Sequence, residues 1–193
     1  DSEFNGADYI MPAKVNIGSE DYYWPCNAYW DYTGINLFSE GGGCAATDQM
    51  ADVIYHEYGH AINDYRYGNN SMSNGALNEG YADVWGLSIT QNPILGLGMS
   101  LTDPNDFVRR YDINKKIYPQ DLTGEVHADG EIIAGAWWDT YLGFNNMSQM
   151  MDLFKYTYDG APDGPGGTEG IIYTDILLEA LMADDNDGNI YNG

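Results

Sequence analysis

The chain has 193 residues, of which 30 are Asp or Glu and only 7 are Lys or Arg, so its net charge is −23. Binding to nucleic acid or to an anionic membrane surface needs clustered basic side chains, and this composition excludes both kinds of partner. With 44% hydrophobic residues the chain has the composition of a folded protein. Its longest apolar run, at 132–138, is far too short to cross a membrane, and we expect a monomer.

The first third of the sequence has the pattern of β-strands. Alternating, β-branched or aromatic residues occupy 9–17, 28–32 and 35–39, and Gly, Asn and Pro separate these stretches. A glycine triplet at 41–43 ends the region. From about residue 45 the spacing of apolar residues becomes helical, which predicts helices at about 45–65, 76–90, 130–143, 146–158 and 168–183.

This order of elements predicts an α+β fold in a single domain spanning 1–193. A small, mostly antiparallel sheet would pack on the first helix within 1–66, and a mainly helical lobe would follow in 67–193, with a cleft between them. The stretch 91–127 is long and contains three prolines, which is typical of a functional or calcium-ordered loop. Cys26 and Cys44 match no metal-binding spacing. They form either a disulfide, which would fit a secreted protein, or two free buried thiols.

The most specific chemical signal is the segment His56-Glu57-Tyr58-Gly59-His60. Residues four apart share one face of a helix, so the two imidazoles can bind one metal ion while Glu57 lies beside the water that the ion activates. A catalytic zinc needs a third protein ligand and an open position, and Glu79 in the next predicted helix is the best candidate. Asp83, one turn later, could accept a hydrogen bond from a zinc-bound histidine. Alternatively, these are polar residues of helix surfaces.

The sequence around these residues resembles the thermolysin-like and fungalysin-like zinc metallopeptidases. The segment 27–83 is similar to thermolysin, including Asn27-Ala28-Tyr29-Trp30 and Asn78-Glu79-Gly80-Tyr81-Ala82-Asp83. The segment 124–131 and the aromatic helix after it resemble fungalysins more closely. The resemblance implies a zinc endopeptidase that acts on a peptide or protein substrate, with Zn²⁺ held by His56, His60 and Glu79 and with Glu57 as general base. A propeptide cleaved from a longer precursor is a further candidate partner.

The resemblance assigns further roles in the cleft. It implies that His127 donates a hydrogen bond to the developing oxyanion, with either Asp121 or Glu125 as the group that orients the ring. It also implies that Asn27 and Ala28 align an extended substrate as an added strand.

Two residues of the family pattern have no clear match in this sequence. The arginine that binds the substrate carbonyl would fall near Met99, so Arg109 or Arg110 could take that role or could form an ordinary surface salt bridge. The tyrosine that helps to bind the oxyanion also lacks a counterpart. Ser71 falls nearest to its position, and Tyr65 and Tyr67 are only loose substitutes.

Bound Ca²⁺ is a further expectation. Asp52 matches a calcium-binding aspartate of thermolysin, although the later acidic partner falls at Thr90. Asp184, Asp185 and Asp187 offer hard oxygen ligands near the C-terminal end but lack the complete helix–loop–helix calcium pattern. Each of these carboxylates could equally be a solvated surface group.

Two other functions fit parts of the sequence. The spacing from His60 to Glu79 also resembles that of aminopeptidase N, although the amine-recognising Gly-x-Met-Glu-Asn segment is absent and those enzymes are much larger. A non-catalytic metal-binding adhesion module could use the acidic, tyrosine-rich surface as contact area. Glu57 argues against this, because a purely structural zinc has no use for a base beside an open position.

Overall fold

The computed structural model describes residues 10–18, 24–67, 72, 74–160 and 169–185. Three strands come first, followed by two helices, a two-stranded ribbon and three more helices. The strands are β1 (Ala13–Ile17), β2 (Ala28–Trp30), β3 (Ile35–Phe38), β4 (Ile94–Leu95) and β5 (Arg109–Arg110). The helices are α1 (Ala51–Tyr67), α2 (Gly75–Thr90), α3 (Val126–Phe144), α4 (Met147–Gly160) and α5 (Glu169–Asp184). The α+β fold is the one that the sequence predicts.

The N-terminal sheet leaves one strand edge beside the helices. Its order is β1-β3-β2, with β1 parallel and β2 antiparallel to the central β3. The ribbon of β4 and β5 is antiparallel. The N-terminal sheet thus has one parallel and one antiparallel pairing, whereas the sequence predicts a mostly antiparallel sheet. Because β2 lies at the end of the sheet that the described residues form, its outer backbone groups offer an edge to which another extended chain can add.

Helix α1 lies between two hydrophobic clusters. One cluster, under the sheet, contains Leu37, Val53 and Met99, and the other joins the helices through Ile62, Tyr81 and other large side chains. Tyr58 of α1 packs against both clusters. This helix is consequently held from two sides, so the polar groups it carries have a fixed position relative to both the sheet and the helical lobe.

Helices α1, α2 and α3 approach one another closely at glycines. A Cβ atom added at Gly59 of α1 would lie 2.6 Å from the Cα of Ala82 in α2. A Cβ atom added at Gly80 of α2 would lie 2.7 Å from the carbonyl oxygen of Gly130 in α3. Side chains at these positions would push the helices apart, so the absence of Cβ permits the spacing that brings groups of the three helices together.

Two helix starts differ from the prediction, each because of a side-chain hydrogen bond. Helix α1 begins at Ala51 rather than near residue 45, since the Thr47 hydroxyl accepts from Phe38 N and donates to Asn27 O, tying the preceding 3₁₀ turn to the sheet. Helix α3 begins at Val126 rather than at 130, because the Glu125 carboxylate accepts from Ala128 N at 2.8 Å and caps the first turn.

The two cysteines form a disulfide, so the alternative of free thiols is wrong. Cys26 lies just before β2, and Cys44 belongs to the turn that follows β3. The turn is in addition hydrogen-bonded to the loop after β4, through Ala45 N to Met99 O and Leu101 N to Gly43 O. The disulfide therefore ties the start of β2 to this turn and, through the turn, to the loop after β4. None of the helices in the described ranges combines the length and apolar character needed to span a membrane.

Candidate metal centre and cleft

Helix α1 presents the two histidines of the sequence motif on one face, as their spacing predicts. His56 is buried and His60 is partly buried. Their Nε2 atoms lie 3.1 Å apart, and the two rings are nearly perpendicular at an angle of 85°. Two imidazole nitrogens at this separation need a positive charge or a hydrogen between them, because their electron pairs otherwise repel.

Helix α2 supplies a carboxylate to the same point. The Asn74 side chain caps α2 by accepting from Leu77 N, and Glu79 follows about one turn into the helix. Its Oε2 lies 3.3 Å from His56 Nε2, and its Oε1 lies 3.6 Å from His60 Nε2. One ligand atom from each of His56, His60 and Glu79 lies within 4.8 Å of the other two, so these residues could hold a metal ion.

The outer nitrogens of both histidines determine where their electron pairs point. His56 Nδ1 lies 2.6 Å from Asp83 Oδ1, and His60 Nδ1 lies 2.9 Å from Asn78 Oδ1. Both partners are acceptors, so each Nδ1 carries the hydrogen and each neutral ring keeps its electron pair on Nε2. Glu79 Oε2 is buried and has no hydrogen-bond partner among the described residues. This set of nitrogen and oxygen donors fits a divalent transition metal such as zinc.

Asp83 is the most heavily hydrogen-bonded carboxylate beside this cluster. It is almost completely buried, and besides His56 it accepts from Arg109 Nε at 2.7 Å, from Arg109 Nη2 at 2.8 Å and from the hydroxyl of Tyr111. The bonds from β5 to α2 thereby hold the carboxylate against the first histidine. Outer carboxylates of this kind orient metal-binding imidazoles.

The electrostatics of the cluster favour a positive charge. Burial raises the pKa of a carboxyl group, but Arg109 and His56 outweigh this effect at Asp83 and hold its pKa well below the usual range. The pKa of Glu79 falls to about 2 despite its burial, chiefly through its contact with His56. Burial likewise opposes charge on His56, yet the neighbouring carboxylates raise its pKa to about 10. The same negative field attracts a metal cation, which would compete with that proton.

A cavity of about 600 Å³ opens above the cluster. Glu57 is buried at its wall, directly after His56 in α1. The edge strand β2 and the preceding Asn27 form one side of the cavity, and apolar residues of α1 and the ribbon region form another. The apolar lining residues are Val53, Leu95, Met99 and Val108, and the aromatic ones are Trp24, Tyr29, Trp30 and Tyr32. Asn27 and Ala28, to which the family resemblance assigns substrate alignment, thus line the same cavity as the three candidate metal ligands.

The structure also brings the third histidine of the chain to this cavity. His127, in the first turn of α3, places Nε2 3.4 Å from Glu79 Oε1. Its Nδ1 lies 2.8 Å from Glu125 Oε1. Asp121, the other candidate for orienting His127, instead accepts from Ile117 N at 2.7 Å. Glu125 lies closer because it caps the helix that carries the histidine.

The two candidate arginines point in different directions, because successive residues of a strand face opposite sides. Arg109 lines the cavity, although its guanidinium is bound to Asp83. Arg110 is not among the lining residues and binds Asp112 at 2.5 and 2.9 Å, so the expectation that it contacts substrate is not supported.

The tyrosines considered as second oxyanion donors take other positions. Tyr65 packs against Trp30, with ring centres 6.1 Å apart, and the Tyr67 hydroxyl donates to Tyr158 O. Ser71 lies outside the described residues.

Among the described residues, the predicted calcium ligands Asp52, Asp184 and Asp185 belong to no group suited to a metal ion. Asp52 Oδ2 accepts from Gly96 N at 2.6 Å, so this carboxylate anchors the loop after β4. Asp184 ends α5 and Asp185 follows it, whereas Asp187 lies outside the described residues. In the described ranges the acidic and histidine side chains form one group suited to a metal, the cluster of His56, His60 and Glu79.

For several residues of the site, the sequence predicts no role. Asn78 contacts His60, and Tyr111 contacts Asp83. Asn63 is completely buried and contacts Asn78. A signal for Asn63 was present, since polar residues at 56, 60 and 63 lie on one stripe of a helix. Tyr111 offers no such signal, because its contact joins a loop to a helix far away in the sequence.

Neither a protein-family model nor a curated protein matches this sequence. Among solved structures, the fold is similar to one described as the precursor of protealysin, a metalloproteinase from Serratia proteamaculans. The TM-score is 0.65 and the sequence identity is 16%. The match covers 93% of this chain and 65% of that chain, so this chain spans a little under two thirds of its length. At this identity the likeness supports a metallopeptidase-like fold without distinguishing one peptidase family from another.

Proposed function

We propose that this chain is a zinc-dependent endopeptidase. The observation that carries the proposal is the convergence of His56, His60 and Glu79 at one side of a cavity that also contains Glu57 and an open strand edge. A structural zinc site would be closed by a fourth protein ligand and would need no base beside it. Here three ligands face a cavity large enough for part of a peptide, which is the arrangement that hydrolysis requires.

A divalent ion held by these three residues would polarise the scissile carbonyl and lower the pKa of water at the site. Glu57 directly follows the ligand His56 in the sequence, and its carboxylate lines the same cavity. Its carboxylate accepts a proton from the attacking water and returns it to the leaving amine. Its burial keeps it at the cavity wall, so little reorganisation is needed before the proton moves.

His127 stabilises the negative charge that develops on the carbonyl oxygen. Its Nδ1 donates to Glu125, so its Nε2 can donate to an oxyanion only when both ring nitrogens carry hydrogen. The ring lies between two carboxylates, with Nδ1 2.8 Å from Glu125 Oε1 and Nε2 3.4 Å from Glu79 Oε1. A donor placed in this way is worth about 3 kcal/mol in the transition state.

The substrate binds as an additional strand along the outer edge of β2. Backbone hydrogen bonds from this edge hold the peptide extended, and the apolar and aromatic walls of the cavity accept its side chains. Arg109 lies at the same cavity, and we assign to its guanidinium a contact with a substrate carbonyl next to the scissile bond. The disulfide fits a secreted enzyme, and a propeptide fits the precursor form of the similar structure.

The decisive experiment replaces Glu57 by Gln and measures both metal content and casein hydrolysis. The substitution keeps the shape of the side chain but removes the base, so we expect bound zinc to remain and turnover to fall about 10²–10⁴-fold. Glu40→Gln makes the same chemical change at an exposed position and should leave turnover unchanged. Near-normal hydrolysis by Glu57→Gln would refute the role of Glu57.

Two further measurements separate the rival functions. A peptide with a blocked N-terminus should be cut internally, since only an aminopeptidase needs a free amine. Removal of the metal by a chelator should abolish hydrolysis, and addition of Zn²⁺ should restore it. Zinc binding without any cleavage of proteins or peptides would instead favour the adhesion module.

A further inference from the structure

A buried chain of hydrogen bonds runs from the helical lobe to His60. The Trp85 indole Nε1 donates to the hydroxyl of Tyr158 at 2.8 Å, and that hydroxyl donates to Asn63 Oδ1 at 2.7 Å. Asn63 Nδ2 in turn contacts Asn78 Oδ1 at 2.7 Å, and this oxygen faces His60 Nδ1 at 2.9 Å. Tyr158 in α4 is 95 positions away from Asn63 in α1, so these hydrogen bonds connect helices that are distant in sequence.

Two contacts determine which end of the Asn63 amide faces Asn78. The main-chain oxygen of Asn78 lies 3.1 Å from Asn63 Nδ2. A carbonyl oxygen can only accept, so the group beside it must be the NH₂ of Asn63. On the other side, the Tyr158 oxygen already accepts from the Trp85 N–H, which leaves its own hydrogen for Asn63 Oδ1. Both ends of the Asn63 amide therefore require the same orientation.

The orientation of Asn63 fixes the next two groups. Because Asn63 offers a second N–H to the Asn78 side chain, Asn78 must present its Oδ1 at that point. The same oxygen faces His60, so the hydrogen of the neutral ring must be on Nδ1 and the electron pair on Nε2. This is the nitrogen that points to His56 and Glu79.

We propose that Asn63, held by Tyr158, is a positioning residue that keeps the hydrogen of His60 on Nδ1 and so leaves Nε2 available as a metal ligand. The inference rests on the proposed metal-dependent function, in which His60 is a ligand. Asn63 is completely buried and Tyr158 is 1% exposed, so water does not compete easily with these bonds. A side chain of the core thereby acts on the metal centre without touching it.

Asn63→Asp tests the proposal most directly. The new carboxylate has the same shape as the Asn63 amide but cannot donate a hydrogen bond, so it repels Asn78 Oδ1. The side-chain amide of Asn78 is then expected to rotate and place Nδ2 where Oδ1 was. In that orientation Asn78 Nδ2 would donate to His60 Nδ1, and the hydrogen of the His60 ring would move to Nε2. We expect Zn²⁺ affinity, measured by competition with a chromophoric chelator, to fall about 10-fold or more.

Tyr158→Phe removes only the hydroxyl that holds Asn63, and we expect a smaller loss of Zn²⁺ affinity in the same direction. Tyr81→Phe is the matched control. Tyr81 is equally buried, its ring lies 4.9 Å from that of Tyr158, and its hydroxyl contacts Thr157, the residue beside Tyr158. It should lose a similar hydrogen bond to α4 without weakening Zn²⁺ binding.

A second measurement determines which ring nitrogen of His60 carries the hydrogen. Long-range ¹H–¹⁵N spectra of histidine-labelled protein, with the His60 signals assigned through His60→Gln, report which ring nitrogen carries it. We expect the Nδ1–H form in the parent chain and a shift towards Nε2–H in Asn63→Asp.

The two proposals fail in distinguishable ways. Parent-like Zn²⁺ affinity and parent-like spectra in Asn63→Asp, or equal affinity losses in Tyr158→Phe and Tyr81→Phe, would overturn the role of Asn63. Failure of the parent chain to bind Zn²⁺ would instead overturn the proposed function, and the spectra would still decide whether Asn63 controls the His60 hydrogen.

Discussion

Substitution of Gly59 by alanine should disturb both the stability of the fold and the metal centre. The added Cβ would lie 2.6 Å from Ala82 Cα and 3.0 Å from Ala82 O, whereas carbon atoms in ordinary contact are about 3.5–4.0 Å apart. Because both obstructing atoms belong to the backbone of α2, no side chain can rotate away. Helices α1 and α2 therefore have to separate by about 1 Å to relieve the contact.

Two opposing effects determine the size of the change. Overpacking of a close helix contact costs up to about 3 kcal/mol. Alanine is favoured over glycine inside a helix by about 1 kcal/mol, which offsets part of this. We expect a net destabilisation of about 2 kcal/mol, or a fall in melting temperature of roughly 5 °C for a domain of this size. Separation of the helices also moves His60 away from Glu79, so Zn²⁺ affinity should fall about 10-fold.

The measurements are calorimetry of the zinc-loaded protein and competition with a chelator. Gly143→Ala is the control, since a Cβ atom there would meet nothing within 4 Å and only the gain in helix propensity remains. That variant should be as stable as the parent chain or slightly more stable, with unchanged metal affinity. If Gly59→Ala raised the melting temperature as the control does and bound Zn²⁺ normally, the argument from the close helix contact would be wrong.

Three other perturbations test separate parts of the site. Arg109→Gln removes the guanidinium that donates twice to the buried Asp83 and should lower the free energy of unfolding by about 3 kcal/mol in urea titrations, whereas Arg110→Gln should change it by less than about 1 kcal/mol. Similar losses of unfolding free energy in the two variants would contradict the conclusion that Arg109 stabilises a buried carboxylate and Arg110 a partly exposed one. Joint replacement of Cys26 and Cys44 by serine should lower the free energy of unfolding by about 3 kcal/mol. Because the disulfide holds the edge strand β2, the double variant should also raise KM more than it lowers kcat. An unchanged KM would contradict that role of the disulfide. Chelation of the metal should lower the melting temperature. The corresponding loss in the free energy of unfolding is about 2.7 kcal/mol if free zinc was 100 times its Kd. An unaltered melting curve would show that no stabilising ion was bound.

The sequence predicts the order of the elements because strand and helix periodicities are local. The five predicted helices lie close to the observed ones, and their boundaries differ where a side chain such as Thr47 or Glu125 bonds to the backbone. The grouping of His56 with His60 follows from helix geometry alone. The convergence of Glu79 on them needs the packing of α1 on α2, which the resemblance implies and the Gly59 contact explains.

Other features depend on contacts between residues that are distant in sequence, and only the tertiary structure decides them. Nothing local distinguishes Arg109 from Arg110 until the pairing of β4 with β5 turns one towards the cavity. Tyr158 likewise reaches Asn63 only because α4 packs on the helical cluster. Periodicity specifies which face a residue occupies on its own element, whereas the neighbours of that face are set by how the elements pack together.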